Sequence, residues 1–263
     1  MLLQDKTAVI YGAGGAVGGA VARTFAREGA KLYLTGRHID NVEAVVKEVE
    51  AAGGTAEAAQ VDALDEKGVA EHLDTVIDKA GHVDISFNAI GLRNTTLQGT
   101  ALVDLDVERF MAPISTHVQG NFITARLAGR RMTKQGSGVI MTVTSIPSRV
   151  AIPLMGGVAV AMAAEEALIR DLSAELAPHG VRALGIRPQG MPDSATMDDV
   201  FGVHGKAYGL SIEQFANLMA ERTHPHRLTT LQEMANVAAF AASDHASAMT
   251  GTIVNLSLGT ITD

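Results

Sequence analysis

Thr7–Gly19 reads TAVIYGAGGAVGG. Thr7–Tyr11 has the unbroken apolar character of a strand buried on both faces, and beyond Gly18 the small apolar residues predict a helix to about Glu28. The turn between them carries Gly12, Gly14, Gly15, Ala16, Val17 and Gly18. Glycine permits backbone angles closed to other residues and lets a ligand approach the main chain. The helix start beyond it offers free N–H groups and a positive dipole end. A strand–glycine turn–helix unit is therefore a place for a pyrophosphate. The spacing is Gly-x-Gly-x-x-x-Gly, with Val17 where a third glycine of the dinucleotide fingerprint would fall. A tight turn without a ligand is the alternative.

Working outward, strand-like runs alternate with helical patterns. Lys31–Thr35, Thr55–Val61, Asp84–Asn88, Val139–Thr144, Val181–Arg187 and Ile253–Leu256 read as further strands. Helices are expected over Asn41–Ala52, Glu66–Ala80, about Leu102–Met132 with a break near Pro113, and about Met155–Leu176. Ser211-x-x-Gln214 and Thr230-x-x-Glu233 have the form of capping boxes, opening helices to about Arg222 and Ala242. Repeated β-α-β with unalternating strands predicts an α/β, Rossmann-type doubly wound parallel sheet with helices on both faces, as one domain over residues 1–263. The polar stretch 188–230 is too long for a plain connection and reads as an irregular lid.

Composition narrows the functional classes. Of 263 residues, 47% are hydrophobic but only 4% aromatic, so the core must be built from aliphatic side chains and methionine. A net charge of −8 with scattered acidic residues gives no general attraction for nucleic acid or anionic lipid. With no cysteine there are no disulfides, thiolate nucleophiles or cysteine zinc sites, which suits a cytoplasmic protein. The uncharged run Thr7–Ala22 holds five glycines and stops at Arg23, too short and too glycine-rich for a membrane span. His224 and His226 flank Pro225 without an ordered third ligand, so no metal is expected.

Two positions bear on which dinucleotide the turn would hold. A binder of unphosphorylated NAD usually ends its second strand on an acidic residue for the ribose hydroxyl. Here that strand ends Thr35-Gly36-Arg37-His38, and an arginine can grip a 2′-phosphate with its planar fork. NADP(H) is therefore favoured over NAD(H), although Asp40 is close by and a solvent-facing arginine after a strand is common. Asp62, in Val61-Asp62-Ala63, can hydrogen-bond an adenine amino group, with Ala63 beside it.

Together these features resemble the short-chain dehydrogenase/reductase family over nearly the whole chain. The family's Thr-Gly-x-x-x-Gly-x-Gly turn is similar to Tyr11–Gly18, with Ala16 at the middle glycine. Its Asn-Asn-Ala-Gly motif is similar to Asn88-Ala89-Ile90-Gly91, its Pro-Gly to Pro188-Gln189-Gly190, and its Ser-Asp…Thr-Gly to Ser243-Asp244…Thr250-Gly251. The resemblance implies a seven-stranded sheet of order 3-2-1-4-5-6-7, nicotinamide-dinucleotide binding, a small-molecule substrate and a homo-oligomer, tetramer or dimer. It implies cofactor contacts from the glycine turn, Arg37, Asp62, Ala63, Asn88, Gly91, Pro188 and Gly190.

The catalytic set of that family is Asn, Ser, Tyr and Lys, and the resemblance preserves only the serine, as Ser145. The Tyr-x-x-x-Lys positions are Val158 and Met162, and the asparagine position is His117. Neither Val nor Met can move a proton, and without the lysine a water-holding asparagine loses its task. Val158 and Met162 are expected to form a dry apolar wall. His117 can do acid/base work, or be an ordinary hydrogen-bonded helix residue; His204 and Tyr208 read as plain lid residues. Three functions stay open: an oxidoreductase with a non-standard proton donor, a dinucleotide-binding pseudoenzyme acting as sensor or scaffold, and a non-redox enzyme on the same scaffold. The retained glycines, Asn88 and Asp62 count against the third.

Overall fold

The computed structural model describes residues 1–92 and 96–262. Its elements are β1 (Thr7–Tyr11), α1 (Ala16–Arg27), β2 (Lys31–Gly36), α2 (Ile39–Ala51), β3 (Thr55–Gln60), α3 (Glu66–Ala80), β4 (Ile85–Asn88), α4 (Val107–Gln135), β5 (Gly138–Val143), α5 (Val158–Leu176), β6 (Val181–Pro188), α6 (Ala195–Tyr208), α7 (Ile212–Ala220), α8 (Leu231–Ala242) and β7 (Ile253–Leu256). The strands form one sheet of order β3-β2-β1-β4-β5-β6-β7, every pair parallel.

Alternation along β1 splits the core into two layers. Ala8 and Ile10 join the apolar layer under α1, α2 and α8. Val9 and Tyr11 join the layer under α3, α4 and α5. Both faces of the central strands are thus covered, which is why those strands read as continuous apolar runs. The strand order reverses between β1 and β4, and a crevice opens beyond their carboxyl ends, as such switch points require.

The helix ends follow local chemistry. Asp65 and Asp106 cap α3 and α4 by accepting from the backbone N–H of Lys67 and Arg109. Both expected capping boxes are complete, Ser211 with Gln214 and Thr230 with Glu233.

Three expectations need correction. The break near Pro113 does not occur: α4 runs through the proline. Pro113 removes a single N–H donor, while the side-by-side packing of α5 holds the helix; Gly157 lies so close that a Cβ there would stand 1.9 Å from the Phe110 carbonyl oxygen. The helix expected from Met155 begins at Val158, because Leu154 (φ 67°) and Gly156 (φ 56°) turn the chain through the left-handed region. And residues 188–230 are not irregular throughout, since α6 occupies Ala195–Tyr208. Gly202 and Gly205 weaken its intrinsic preference; packing of Met197, Val200 and Phe201 against Phe215 and Met219 of α7 supplies what propensity lacks.

Candidate active site

A cavity of about 800 Å³ lies over the carboxyl ends of the central strands. One end is made by the first turn. Gly12, Gly14, Gly15, Ala16 and Val17 line it. Gly12 has φ 74°, and a Cβ there would sit 2.6 Å from the Ala89 carbonyl oxygen. Gly18 does not line the cavity: a Cβ on it would come within 2.4 Å of the Gly12 carbonyl, so its smallness closes the turn from behind. No side chain caps α1 and its first turn holds no acidic residue, leaving the amides and dipole end for an anion. Around this turn stand Arg37, Asp62, Ala63 and Gly91, all on the cavity. A Cβ on Gly91 would meet nothing within 4 Å, so the backbone there lies open to an occupant.

Arg37 is exposed; its carbonyl accepts from Gln60 Nε2 at 3.0 Å, and its guanidinium enters no ion pair or hydrogen bond among the described residues. Asp40 lies in the first turn of α2 and does not line the cavity. Asp62 Oδ1 accepts from the backbone N–H of Leu64 at 3.0 Å. Asn88 is buried behind the wall: it donates to Thr124 Oγ1 at 2.8 Å and accepts from the Ile90 backbone at 3.0 Å. It shapes the loop carrying Gly91 and makes no part of the lining. Pro188 and Gly190 line the far side together with Gln189, whose Oε1 accepts from the Gly190 N–H.

The other end is built by β5, α4, α5 and the lid. Ser145, extended at φ −158°, lines it just beyond β5, and His117 of α4 lines it opposite. Val158 and Met162 lie on the same cavity and belong to an apolar cluster with Met155, Ala161, Ile114 and Ile152. Together they make this wall of the cavity apolar. None of the chain's three tyrosines and none of its lysines lines the cavity. Tyr11 is fully buried, and burial drives its hydroxyl well above the usual range. Tyr208 is half-exposed and stacks on Phe215, turned away from the cavity. His204 does face it, but is tied at Nε2 to Gln98 Oε1 (2.8 Å) and stacks on Phe215; burial pushes its pKa down.

Two groups at this end escape a reading of motifs. His117 Nδ1 stands 3.6 Å from Oε1 of Glu165, a carboxyl 1% exposed on α5. The same oxygen accepts from Asn121 Nδ2, which also donates to the His117 carbonyl at 3.1 Å. Burial pushes the Glu165 carboxyl up, while His117 and Asn121 pull the other way. Next to it Glu166 meets Arg187 in a buried two-pronged pair, Nε–Oε1 2.7 Å and Nη2–Oε2 2.8 Å, with Ser148 and Thr144 also donating. Burial would raise the Glu166 carboxyl, but these donors outweigh it and hold it below the usual range. The signal for Glu165 is in the sequence: it falls on the helical stripe of Val158, Met162 and Ile169, a charge on an otherwise apolar face.

A family model described as enoyl-(acyl carrier protein) reductase matches residues 12–260. The chain belongs to the short-chain dehydrogenase/reductase family. Within this oxidoreductase family, the 7α-hydroxysteroid dehydrogenase of Escherichia coli K12 is 31% identical over 257 residues, spanning 98% of this chain and 94% of that protein. A solved 7α-hydroxysteroid dehydrogenase, complexed with NADH and 7-oxo glycochenodeoxycholic acid, is 29% identical with a TM-score of 0.85, covering 99% of this chain and 96% of that one. An NAD⁺-bound xylitol dehydrogenase shares the fold at a TM-score of 0.92, with 24% identity over 98% of this chain and 100% of that one. No described helix of this short-chain dehydrogenase/reductase is long and apolar enough to cross a membrane. No group of three His, Asp or Glu among the described residues is placed to hold a metal.

Proposed function

We propose that the protein is an NADP(H)-dependent oxidoreductase acting on an apolar carbonyl or alcohol substrate, with His117 in place of the family's tyrosine. The observation that carries this is continuity: one cavity runs from the uncapped α1 terminus and Arg37 to Ser145 and His117. The turn Gly12–Val17 would hold the pyrophosphate, Asp62 and Ala63 the adenine end, Arg37 the 2′-phosphate, and Gly91, Pro188 and Gly190 the inner half. The bound nicotinamide would supply or take up the hydride. Ser145 polarises the substrate carbonyl and His117 moves the proton. Residues 188–230 act as the lid, whose Met191, Met197, Phe201 and Met219 give the substrate end an apolar, adaptable lining. In the whole protein, residues 1–263 work as one domain, soluble in the cytoplasm and assembled as a homo-oligomer.

Titration calorimetry with NADPH and NADH, followed by turnover against ketones, aldehydes and enones, tests this. Tighter binding of NADPH with turnover is expected; no binding of either dinucleotide sinks it. The apolar wall of Val158 and Met162 favours a second reading, a dinucleotide-binding pseudoenzyme that senses or scaffolds. Tight binding without turnover anywhere in the panel would select it.

A further inference from the structure

We propose that Glu165 is a positioning residue for His117, the two forming a coupled proton-holding pair that stands in for the missing tyrosine and lysine. The role of the pair in turnover rests on the oxidoreductase reading above; the coupling itself does not. The pair bridges two helices. His117 and Asn121 are one turn apart on α4, and Glu165 faces them from α5, one turn beyond Met162. With Nδ1 engaged by the carboxylate, the imidazole keeps Nε2 for the cavity that the ring lines.

Adjacent glutamates show why this is more than structural satisfaction. Taking a carboxylate out of water costs several kcal/mol unless its lone pairs are bonded. Both oxygens of Glu166 are, and that residue is a strut. Glu165 is as deeply buried, yet Oε1 receives both of its partners and Oε2 has none among the described residues. Glu165 also borders a small cavity of about 10 Å³, where Ser86, Asn88, Asn121, Thr124 and Thr142 stand among apolar side chains of α4, β5 and α5. That is room for about one water, and its walls can bond one. A carboxyl left half-satisfied beside an imidazole can accept a proton or release it without rebuilding its surroundings. The charged groups facing it are few: His117 from α4, and on α5 its neighbour Glu166, itself neutralised by Arg187 of β6. β4 and β5 add no charged group there, presenting Ser86, Asn88 and Thr142 beside the apolar Ile140 and Met141.

In the reductive direction the carbonyl carbon takes the hydride, and the C=O π pair becomes the bond to the proton given by His117 Nε2. The ring ends neutral, its Nδ1–H held toward Glu165, and cavity water returns the proton. At 3.6 Å the two atoms are an ion-pair distance apart, and protonation of the ring draws them toward hydrogen-bond contact.

The test needs no cofactor. Infrared difference spectra of the full chain titrated with acid should show a buried-carboxyl band that Glu165→Gln removes. In His117→Ala the midpoint of that band should move up, because the imidazole that opposes protonation is gone. With NADPH and a turned-over substrate, Glu165→Gln should lower kcat about 100-fold with KM and NADPH affinity unchanged. His117→Ala added to it should cost little more, as for residues acting as a unit, and Glu165→Asp should recover part of the rate. If Glu165→Gln unfolds, the His117→Ala midpoint and the Glu165→Asp rate still decide. An unmoved midpoint, or full kcat in Glu165→Gln, overturns the pair. Coupling without any turnover would keep the pair and discard the oxidoreductase reading instead.

Discussion

Among the described residues, Arg37 is the one arginine or lysine lining the cavity, and its fork is not committed elsewhere among them. A charge-assisted contact to a 2′-phosphate contributes about 1.5–3 kcal/mol, or roughly 10–100-fold in affinity. Arg37→Ala is therefore expected to weaken NADPH by that factor and leave NADH within about twofold, by calorimetry. Equal losses for both dinucleotides would remove the case for NADP(H). At this scale the sequence is legible where backbone geometry dictates the residue. Gly12 must adopt φ 74° against Ala89, and only glycine does so without strain. It is less legible where the partner is remote. Asn88 matches its motif, yet its amide is spent on Thr124, 36 residues away. Glu165 matches no motif, and its meaning depends on α4 and α5 lying side by side.

Between elements, α4 and α5 set the pocket, and the chain leading into α5 leaves no room for a Cβ where Gly157 lies over Phe110. Gly157→Ala would force the helices apart at a cost of about 3 kcal/mol, a fall in Tm of roughly 6–12 °C, read by calorimetric unfolding. A second element-level device is the α8 capping box. Arg227 hydrogen bonds first, then the Thr230 N–H, hold the Glu233 carboxyl at about 2. A depressed carboxyl adds stability above its unfolded value of 4.5 and loses it as pH falls toward 2. The Tm gap between wild type and Glu233→Gln should thus be full at pH 6 and close between pH 4.5 and 2; a gap constant with pH would refute the cap's charge. Both boxes were readable because their four residues carry the whole signal. The helix α6 was not, since Gly202 and Gly205 mask a stripe that only Phe215 and Met219 complete. Continuity of α4 through Pro113 was hidden in the same way, by the neighbour that holds it.

For the whole molecule, the unexplained surface is on α4. Its 29 residues extend roughly 43 Å at 1.5 Å per residue. Val107, Met111 and Phe122 fall within one narrow stripe of that length and are exposed by 76%, 42% and 45%; Val160 on the adjoining α5 is also exposed. Arg126 lies over the Phe122 ring, 5.0 Å from its centre, at the edge of the stripe. Apolar residues repeating on one face of an exposed helix mark a contact with another chain, and a net charge of −8 would oppose any association lacking such burial. In the proposed homo-oligomer this stripe would meet the same stripe on a second copy about a two-fold axis, since a self-complementary patch closes upon itself. Light scattering after gel filtration should give a dimer or tetramer for the wild type. Phe122→Asp with Met111→Asp should give a smaller species whose circular dichroism is unchanged. Because His117 lies on the same helix between these two positions, dissociation should also lower kcat more than it weakens NADPH binding, whose turn is carried by β1 and α1. A wild-type monomer, or a double variant that keeps its size, would mean that the stripe serves some other contact and that the pocket needs no second copy to hold its shape.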